Sequence, residues 1–360
     1  MPSLSQQIKD SALSLNFSQC KICPADNLDS YQKHYQNFLD KKQHGEMDYL
    51  RKHQSLKTNP CQIVPNAKSI ILVSLNYFQA RKNANNWAPK LHIPQHREGQ
   101  VARYAFGRDY HKVFRKKLKI LSQTLTANHQ NFRFFADSGP LLERQYAELS
   151  GLGYIGKNTM LISKKYGSWI LLGEIITDAK LDYDLAFDRK KMVCGSCQKC
   201  QTACPTNALS QDYKIDASKC ISYLTIEHSG SIPVELRPKI GNWLFGCDIC
   251  QEVCPHNFRA KVSQEPDFLK PIAGESLNLK EILSIPNDET FTQKFAGSPL
   301  MRAKRSKLLR NACIVTSNLK RLDLLPEIQL LCQDSDPIIQ EHAQWALKEL
   351  QKNIPNYQKI

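Results

Sequence analysis

Apolar positions along this chain change period several times. Residues 1 to about 60 read as helical, because Asp29 to Leu39 and Met47 to Leu56 carry apolar residues three to four apart. Ser69-Ile-Ile-Leu-Val-Ser-Leu-Asn-Tyr-Phe78 is instead a nearly unbroken apolar run rich in β-branched residues. Bounded upstream by Pro65 and Asn66, it reads as a buried strand. Gln79 to Gly99 is polar, Asn-rich and broken by proline, so a loop is expected. Asp109 to Thr124 follows as a basic amphipathic helix, with Val113, Leu118 and Leu121 on one side. Asn131 to Ala136 is a second strand. It ends in the sharp turn Asp137-Ser-Gly-Pro140, ahead of a helix from Leu141 to Ser150. Gly151-Leu-Gly-Tyr-Ile-Gly156 reads as a turn, and Ser168 to Thr177 as a further strand. The expected fold class is α+β, opening with a mixed α/β domain over residues 1–185.

Residues 186–265 lack this patterning and carry cysteine every few positions. From 265 to 297 a polar connection with one short helical stretch is expected. Beyond it, Arg305 to Ser317, Leu322 to Cys332 and Pro337 to Leu350 read as three helices. Asp334-Ser-Asp-Pro-Ile-Ile-Gln-Glu-His-Ala-Gln-Trp-Ala-Leu347 resembles the second half of a HEAT repeat, with Ile339-Gln340 where Val-Arg is usual. One or two such repeats cannot bury their own faces, so residues 266–360 must pack on the rest of the protein.

Composition narrows the function. With 360 residues the chain suits two or three domains, and 41% hydrophobic content suits ordinary folded ones. No run approaches the roughly 20 apolar residues that span a bilayer, and the polar N-terminus has no apolar signal region. A cytoplasmic protein with no membrane partner is expected. The net charge of +15 points to an anionic partner, nucleic acid being the natural one. Thirteen cysteines in a reducing compartment point to metal ligands rather than disulfides.

Their spacing carries the chemistry. Cys194-Gly-Ser-Cys197-Gln-Lys-Cys200-Gln-Thr-Ala-Cys204-Pro205 is the bacterial ferredoxin run, in which three close thiolates hold one [4Fe-4S] cluster and the fourth reaches a second. Cys247-Asp-Ile-Cys250-Gln-Glu-Val-Cys254-Pro255 supplies the partner run, its missing first cysteine displaced upstream to Cys220. The crossed logic gives cluster one Cys194, Cys197, Cys200 and Cys254. It gives cluster two Cys204, Cys220, Cys247 and Cys250. Structural zinc also takes four thiolates, but the interlocked endings favour clusters. Cys20-Lys-Ile-Cys23 resembles a redox pair yet has no companion ligand, and Cys61, Cys313 and Cys332 are expected to be buried thiols. Two clusters deliver electrons singly. A ferredoxin-like carrier alone would not need the long α/β segment in front.

Asp137-Ser-Gly-Pro-Leu-Leu-Glu-Arg144, Gly151-Leu-Gly-Tyr-Ile-Gly-Lys-Asn-Thr159, Gly167-Ser-Trp-Ile-Leu-Leu-Gly-Glu-Ile-Ile-Thr177, Cys220-Ile-Ser-Tyr-Leu-Thr-Ile-Glu-His228 and Gly246-Cys-Asp-Ile-Cys-Gln251 stand in this order around the cysteine runs. Together they resemble the epoxyqueuosine reductase family of tRNA-modifying enzymes. The resemblance implies a cobalamin held between a nitroreductase- or dehalogenase-like first domain and the ferredoxin-like one. An external electron donor and a tRNA anticodon loop are implied as partners, and a monomer is expected. The corrinoid signature D-x-H-x-x-G is begun by Asp109-Tyr-His111, but Phe114 stands where glycine is required. This suits cobalamin held without a protein histidine on cobalt.

The resemblance also implies that Asp137 is the proton donor for the opening epoxide, a role that would need burial to raise its carboxyl towards neutrality. Read from the residues alone, Asp137 caps the following helix. Asp109 is a second candidate, with an N-cap as its other reading. Ala102 stands where some relatives carry cysteine. Lys157, Asn158, Thr159, Ser168, Gly173, Glu174, Ser222 and Asp248 are candidate cobalamin contacts, each equally readable as local turn or strand structure. Arg302, Lys304, Arg305, Lys307 and Arg310 form the expected tRNA patch; Arg103, Arg108, Lys112, Arg115, Lys116, Lys117 and Lys119 form another. The competing functions are a dehalogenase-like reductase of a small molecule and a ferredoxin-like carrier.

Overall fold

A computed structural model describes residues 2–81, 98–187 and 193–352. Its main sheet is antiparallel and four-stranded. It comprises β1 (Gln19–Pro24), β2 (Ser69–Asn76), β3 (Phe132–Phe135) and β4 (Ile170–Thr177), in the order β1-β2-β4-β3. β2 is buried along its whole length because both faces of the sheet are covered. Ile71, Val73, Leu75 and Ile175 pack with Phe114, Leu118 and Leu121 of helix α1 (Tyr110–Leu121). Ile70, Leu72, Leu172 and Ile176 pack on the other side with Tyr146 and Ala147 of helix α2 (Glu143–Leu149). Alternation along each strand assigns the faces.

The N-terminal stretch departs from the helical expectation at β1. Gln19–Pro24 is a strand because its backbone completes the free edge of β2, a tertiary pairing that overrides local pattern. Met47 to Leu56 is likewise broken, into Tyr49–Lys52 and a 3₁₀ turn at Gln54–Leu56. Cys20 and Cys23 are three apart on β1 and therefore face opposite sides of the sheet, so they are not a redox pair. Cys61 is exposed, against expectation; Cys313 and Cys332 are buried. Most of the expected Gln79–Gly99 loop lies outside the described residues.

The segment from 265 to 297 is more ordered than its polarity suggests. It forms the short helices Pro266–Leu269, Leu279–Leu283 and Asp288–Phe295, and Ser276–Leu277 pairs with Gly99–Val101, which also pairs with Trp243–Phe245. Helices α3 (Lys304–Asn318) and α4 (Pro337–Gln351) follow. One apolar core joins this tail to Val101, Phe106, Ile226 and Phe245, as the lone-repeat argument requires. Among the described residues no helix is long and apolar enough to cross a membrane.

The cationic run of α3 serves two ends. Arg302 and Lys304 are exposed. Arg305 is buried against Asp334 at 2.5 Å, and Lys307 donates to the Ile226 carbonyl at 2.5 Å. Arg310 is wholly buried and donates to the carbonyls of Leu224, His228 and Gly230 at 2.5, 2.8 and 2.8 Å. Arg305 and Arg310 therefore cannot meet tRNA phosphates; they satisfy buried acceptors within the fold. Each acceptor left without its donor costs about 1–3 kcal/mol. Arg310→Met should accordingly lower stability by about 3–5 kcal/mol, read as a lowered midpoint in denaturant unfolding of the reconstituted protein.

Candidate active site

A cavity of about 620 Å³ lies where the α/β body, the cysteine segment and the tail meet. Its wall is largely apolar and aromatic, with Tyr77, Tyr104, Met160, Ile170 and Leu171 contributing. Size and lining suit an organic cofactor or substrate. Cys204, Cys220, Cys247 and Cys250 line it together with Asp109, His111 and Asp137. Cys194, Cys197, Cys200 and Cys254 line a neighbouring cavity of about 40 Å³. The fold thus brings the eight cysteines into the two groups expected from their spacing. Among the described residues no three His, Cys, Asp or Glu side chains converge on a single-ion site. A cubane is larger than an ion, and its ligands stand around it rather than meeting at a point.

The acid side is built at the start of α1 and the end of β3. Asp109 accepts from the His111 backbone N–H at 3.0 Å, so it does cap the helix. The same carboxylate lies 2.9 Å from His111 Nδ1, while His111 Nε2 lies 3.4 Å from Asp137 Oδ2. Tyr110 donates its hydroxyl hydrogen bond to Asp137. Asp137 itself has φ near 60°, a left-handed conformation that Asp tolerates better than most residues. Its side chain is 48% exposed, but the space it faces is the cavity.

Burial alone would raise the Asp137 carboxyl. Hydrogen bonds from His111 and Tyr110, with the charges of His111 and Arg302, outweigh it and hold the group below the usual carboxylate range. The expected upward shift is absent because of these donors. The proton resides on His111 instead. Burial would lower the imidazole, but the carboxylates of Asp109 and Asp137 raise it to about 9. His111, Tyr49 and Arg302 were not singled out as cavity residues from sequence; only the Asp109-Tyr-His111 fragment hinted at the first. Arg302 pairs with Glu227 at 2.6 Å, and both line the cavity with Tyr49.

The expected cobalamin contacts divide. Asn158, Ser222 and Asp248 line the cavity. The Asp248 carboxylate is already engaged by Arg103 at 3.1 Å and Arg81 at 3.3 Å, so it is no free ligand. Lys157 pairs with Asp212 at 3.1 Å, and the Thr159 carbonyl accepts from Arg144 at 2.5 Å. Ser168 is fully buried and donates to Gln251 at 2.9 Å. Gly173 faces α1, where a Cβ would lie 2.6 Å from the Phe114 ring. Glu174 is buried on the opposite face of the sheet. These five serve the frame rather than the cavity.

Fold and site define an iron–sulfur oxidoreductase with an acid-lined chamber beside one cysteine group. The comparisons specify it further. Residues 193–257 match the 4Fe-4S double cluster binding domain, and residues 57–138 match the family described as Epoxyqueuosine reductase QueG, DUF1730. The chain is 39% identical to the epoxyqueuosine reductase of Pseudomonas aeruginosa, over 96% of this chain and 94% of that one. It is 38% identical to that of Escherichia coli, over 96% and 89%. A solved epoxyqueuosine reductase with an epoxyqueuosine-modified tRNA-Tyr stem loop superposes with a TM-score of 0.87 at 31% identity, covering 96% of this chain and 90% of that one. The Bacillus subtilis epoxyqueuosine reductase, solved with its catalytic aspartate loop swung out of the active site, superposes at 0.85 and 32% identity over 96% and 90%. This chain belongs to the epoxyqueuosine reductase family.

The histidine pair yields a direct check. Because its pKa is raised from the ordinary 6.5 to about 9, the pair's contribution to stability is full below about pH 6.5 and is lost as pH rises through 9. In Asp137→Asn the His111 midpoint should fall from about 9 towards its ordinary value, followed by NMR titration of the imidazole.

Proposed function

We propose that this protein reduces epoxyqueuosine to queuosine in the anticodon loop of tRNA. The observation that carries this reading is the cavity itself, lined both by the Cys204, Cys220, Cys247 and Cys250 group and by the Asp109–His111–Asp137 chain. The overall reaction removes the epoxide oxygen as water and takes two electrons and two protons. Cys194, Cys197, Cys200 and Cys254 would hold one [4Fe-4S] cluster and Cys204, Cys220, Cys247 and Cys250 a second, which would supply the electrons singly from an external donor.

The cavity also fits cobalamin, the cofactor the family implies. Its apolar aromatic wall suits the faces of a corrin, and Asn158 and Ser222 offer polar contacts at the edge. When bound, a reduced corrin supplies a strongly nucleophilic metal centre. Both ring nitrogens of His111 are turned to carboxylates, so among the described residues the cavity lining offers no histidine to cobalt. The chain's own contribution is the proton. Asp137 reaches into the cavity with His111⁺ behind it, and the pair holds one proton at neutral pH for transfer to the epoxide oxygen as the C–O bond breaks. Asp109 orients His111 and keeps it charged.

Residues 1–185, 186–265 and 266–360 serve as cobalamin-binding, cluster and HEAT-like tRNA-binding units in this reading. Arg302 and Lys304 are the members of the α3 patch open to the RNA, and Lys307 lies at its partly buried border. The stem loop bound to the solved relative supports a tRNA loop as the partner.

The test is turnover of an epoxyqueuosine-bearing tRNA stem loop by protein reconstituted with clusters and cobalamin. Queuosine should form, and no product would refute the function. Asp137→Asn should lower kcat by about 100-fold or more; undiminished turnover would remove Asp137 from its role. Lys304→Ala should weaken tRNA binding and reduce the slope of log affinity against log salt by about one, measured by fluorescence anisotropy at several salt concentrations.

A further inference from the structure

Behind the turn that carries Asp137 lies a titratable group that the reaction just described does not use. β4 turns Leu172, Glu174 and Ile176 to the α2 side of the sheet. The cross-strand neighbours of Glu174 are Leu72 and Phe135. A carboxyl thus occupies a row otherwise built of apolar side chains. Glu174 is 1% exposed, and among the described residues neither carboxylate oxygen has a hydrogen-bond partner. An ionised carboxylate in such a place is strongly disfavoured, so the group is held neutral.

The same cluster touches the turn. Glu143, in the first turn of α2, lies close enough to the turn for its carboxyl to feel both the backbone N–H and the carboxylate of Asp137. Lys57 Nζ donates to the Gly139 carbonyl at 3.4 Å, and the Lys57 carbonyl accepts from the Leu142 N–H at 3.0 Å. Gly139 sits so close to Glu174 that a Cβ there would lie 2.5 Å from Oε1. A left-handed Asp137 persists only where its surroundings over-determine it.

We propose that Glu143, Glu174 and Lys57 are positioning residues for Asp137, forming a proton-dependent latch that docks the 137–140 turn and loosens as its carboxyls ionise. The proposal rests on the functional reading above. The groups facing the latch are Asp137 on the turn, Glu143 and Arg144 on α2, Glu174 on β4 and Lys57. Three of these five are acids. Once Glu143 and Glu174 ionise, they repel the Asp137 carboxylate from the latch side, with Lys57 and Arg144 compensating there, while His111 and Arg302 hold Asp137 from the cavity side. Burial and the Asp137 charge push Glu143 up to about 7, and burial, Glu143 and Asp137 push Glu174 well above the usual range. At neutral pH the latch is closed and poised near its release.

The test is hydrogen-exchange protection of the Asp137, Ser138 and Gly139 amides in the reconstituted holoenzyme, across pH. Protection should fall as pH rises through about 7, below the about 9 at which His111 titrates. In Glu174→Gln, neutral at every pH, that fall should shift to higher pH. Glu143→Ala, lacking the acceptor, should lower kcat by about 100-fold with KM little changed. Glu143→Gln, which keeps an oxygen beside the Asp137 N–H, should restore most of it. Protection in the parent that does not vary with pH would overturn the latch. So would a Glu174→Gln profile identical to the parent's, or a Glu143→Ala variant with parental kcat. Protection is read without substrate, so a parent that made no queuosine would defeat the functional reading while the latch was still tested. Should Glu143→Ala not fold, the profiles of the parent and Glu174→Gln decide.

Discussion

The first cysteine group has little apolar core around it, and the rest of the structure depends on how that is overcome. Around the first cysteine group the fully buried apolar side chains amount to Tyr154, Ile162 and Cys254, too small a core to hold a fold. Polar bonds to the α/β body take its place. Asp248, between Cys247 and Cys250, accepts from the Arg103 backbone and guanidinium and from Arg81. Gln251 and Asn257 bond Ser168 at the start of β4. Buried charges like these are unfavourable unless each is answered, and here Glu252 answers the second charge by pairing with Arg103 at 2.6 Å and Arg81 at 3.4 Å. The web fixes the cysteine groups against the sheet, and so fixes the cavity between them and Asp137.

The start of α1 shows how little of a site need be exclusive to chemistry. Asp109 was open to two readings, helix cap or functional acid, and its single carboxylate does both: it accepts from the His111 N–H and from the His111 ring. The cap orients the first turn of α1, and the first turn aims His111 at Asp137. A residue bonded twice in this way is costlier to replace than either bond suggests.

What could be read from sequence follows from how local the physics is. The cysteine groups were legible because cluster ligation demands short fixed spacings. β2, β4 and α1 were legible because their burial repeats at the period of the element. The turn that carries Asp137 followed from Ser-Gly-Pro after a strand. What depended on distant partners was not legible. β1 is a strand only because β2 has a free edge. The Asp137 carboxyl is lowered rather than raised because His111, Tyr110 and Arg302 arrive from other elements. Arg305 and Arg310 look like any solvent-facing cations until the carboxylate of Asp334 and the carbonyls of Leu224, His228 and Gly230 are placed around them.

That last error has a structural meaning. A net charge of +15 counts cations without locating them, and part of the cationic run on α3 is used to hold the stretch between Cys220 and Cys247. Arg310 and Asn311 together bond the carbonyls of Leu224, Thr225, His228, Gly230 and Leu244, and Lys307 bonds that of Ile226. Ser222, Ile226 and Glu227 of that stretch line the cavity, and Glu227 pairs with Arg302 at the start of the tail. The helical tail is therefore a wall of the chamber as much as an appendage to it. Lys304, exposed at the start of α3, and Arg310, buried within it, therefore belong to one helix, whose buried face sets that wall.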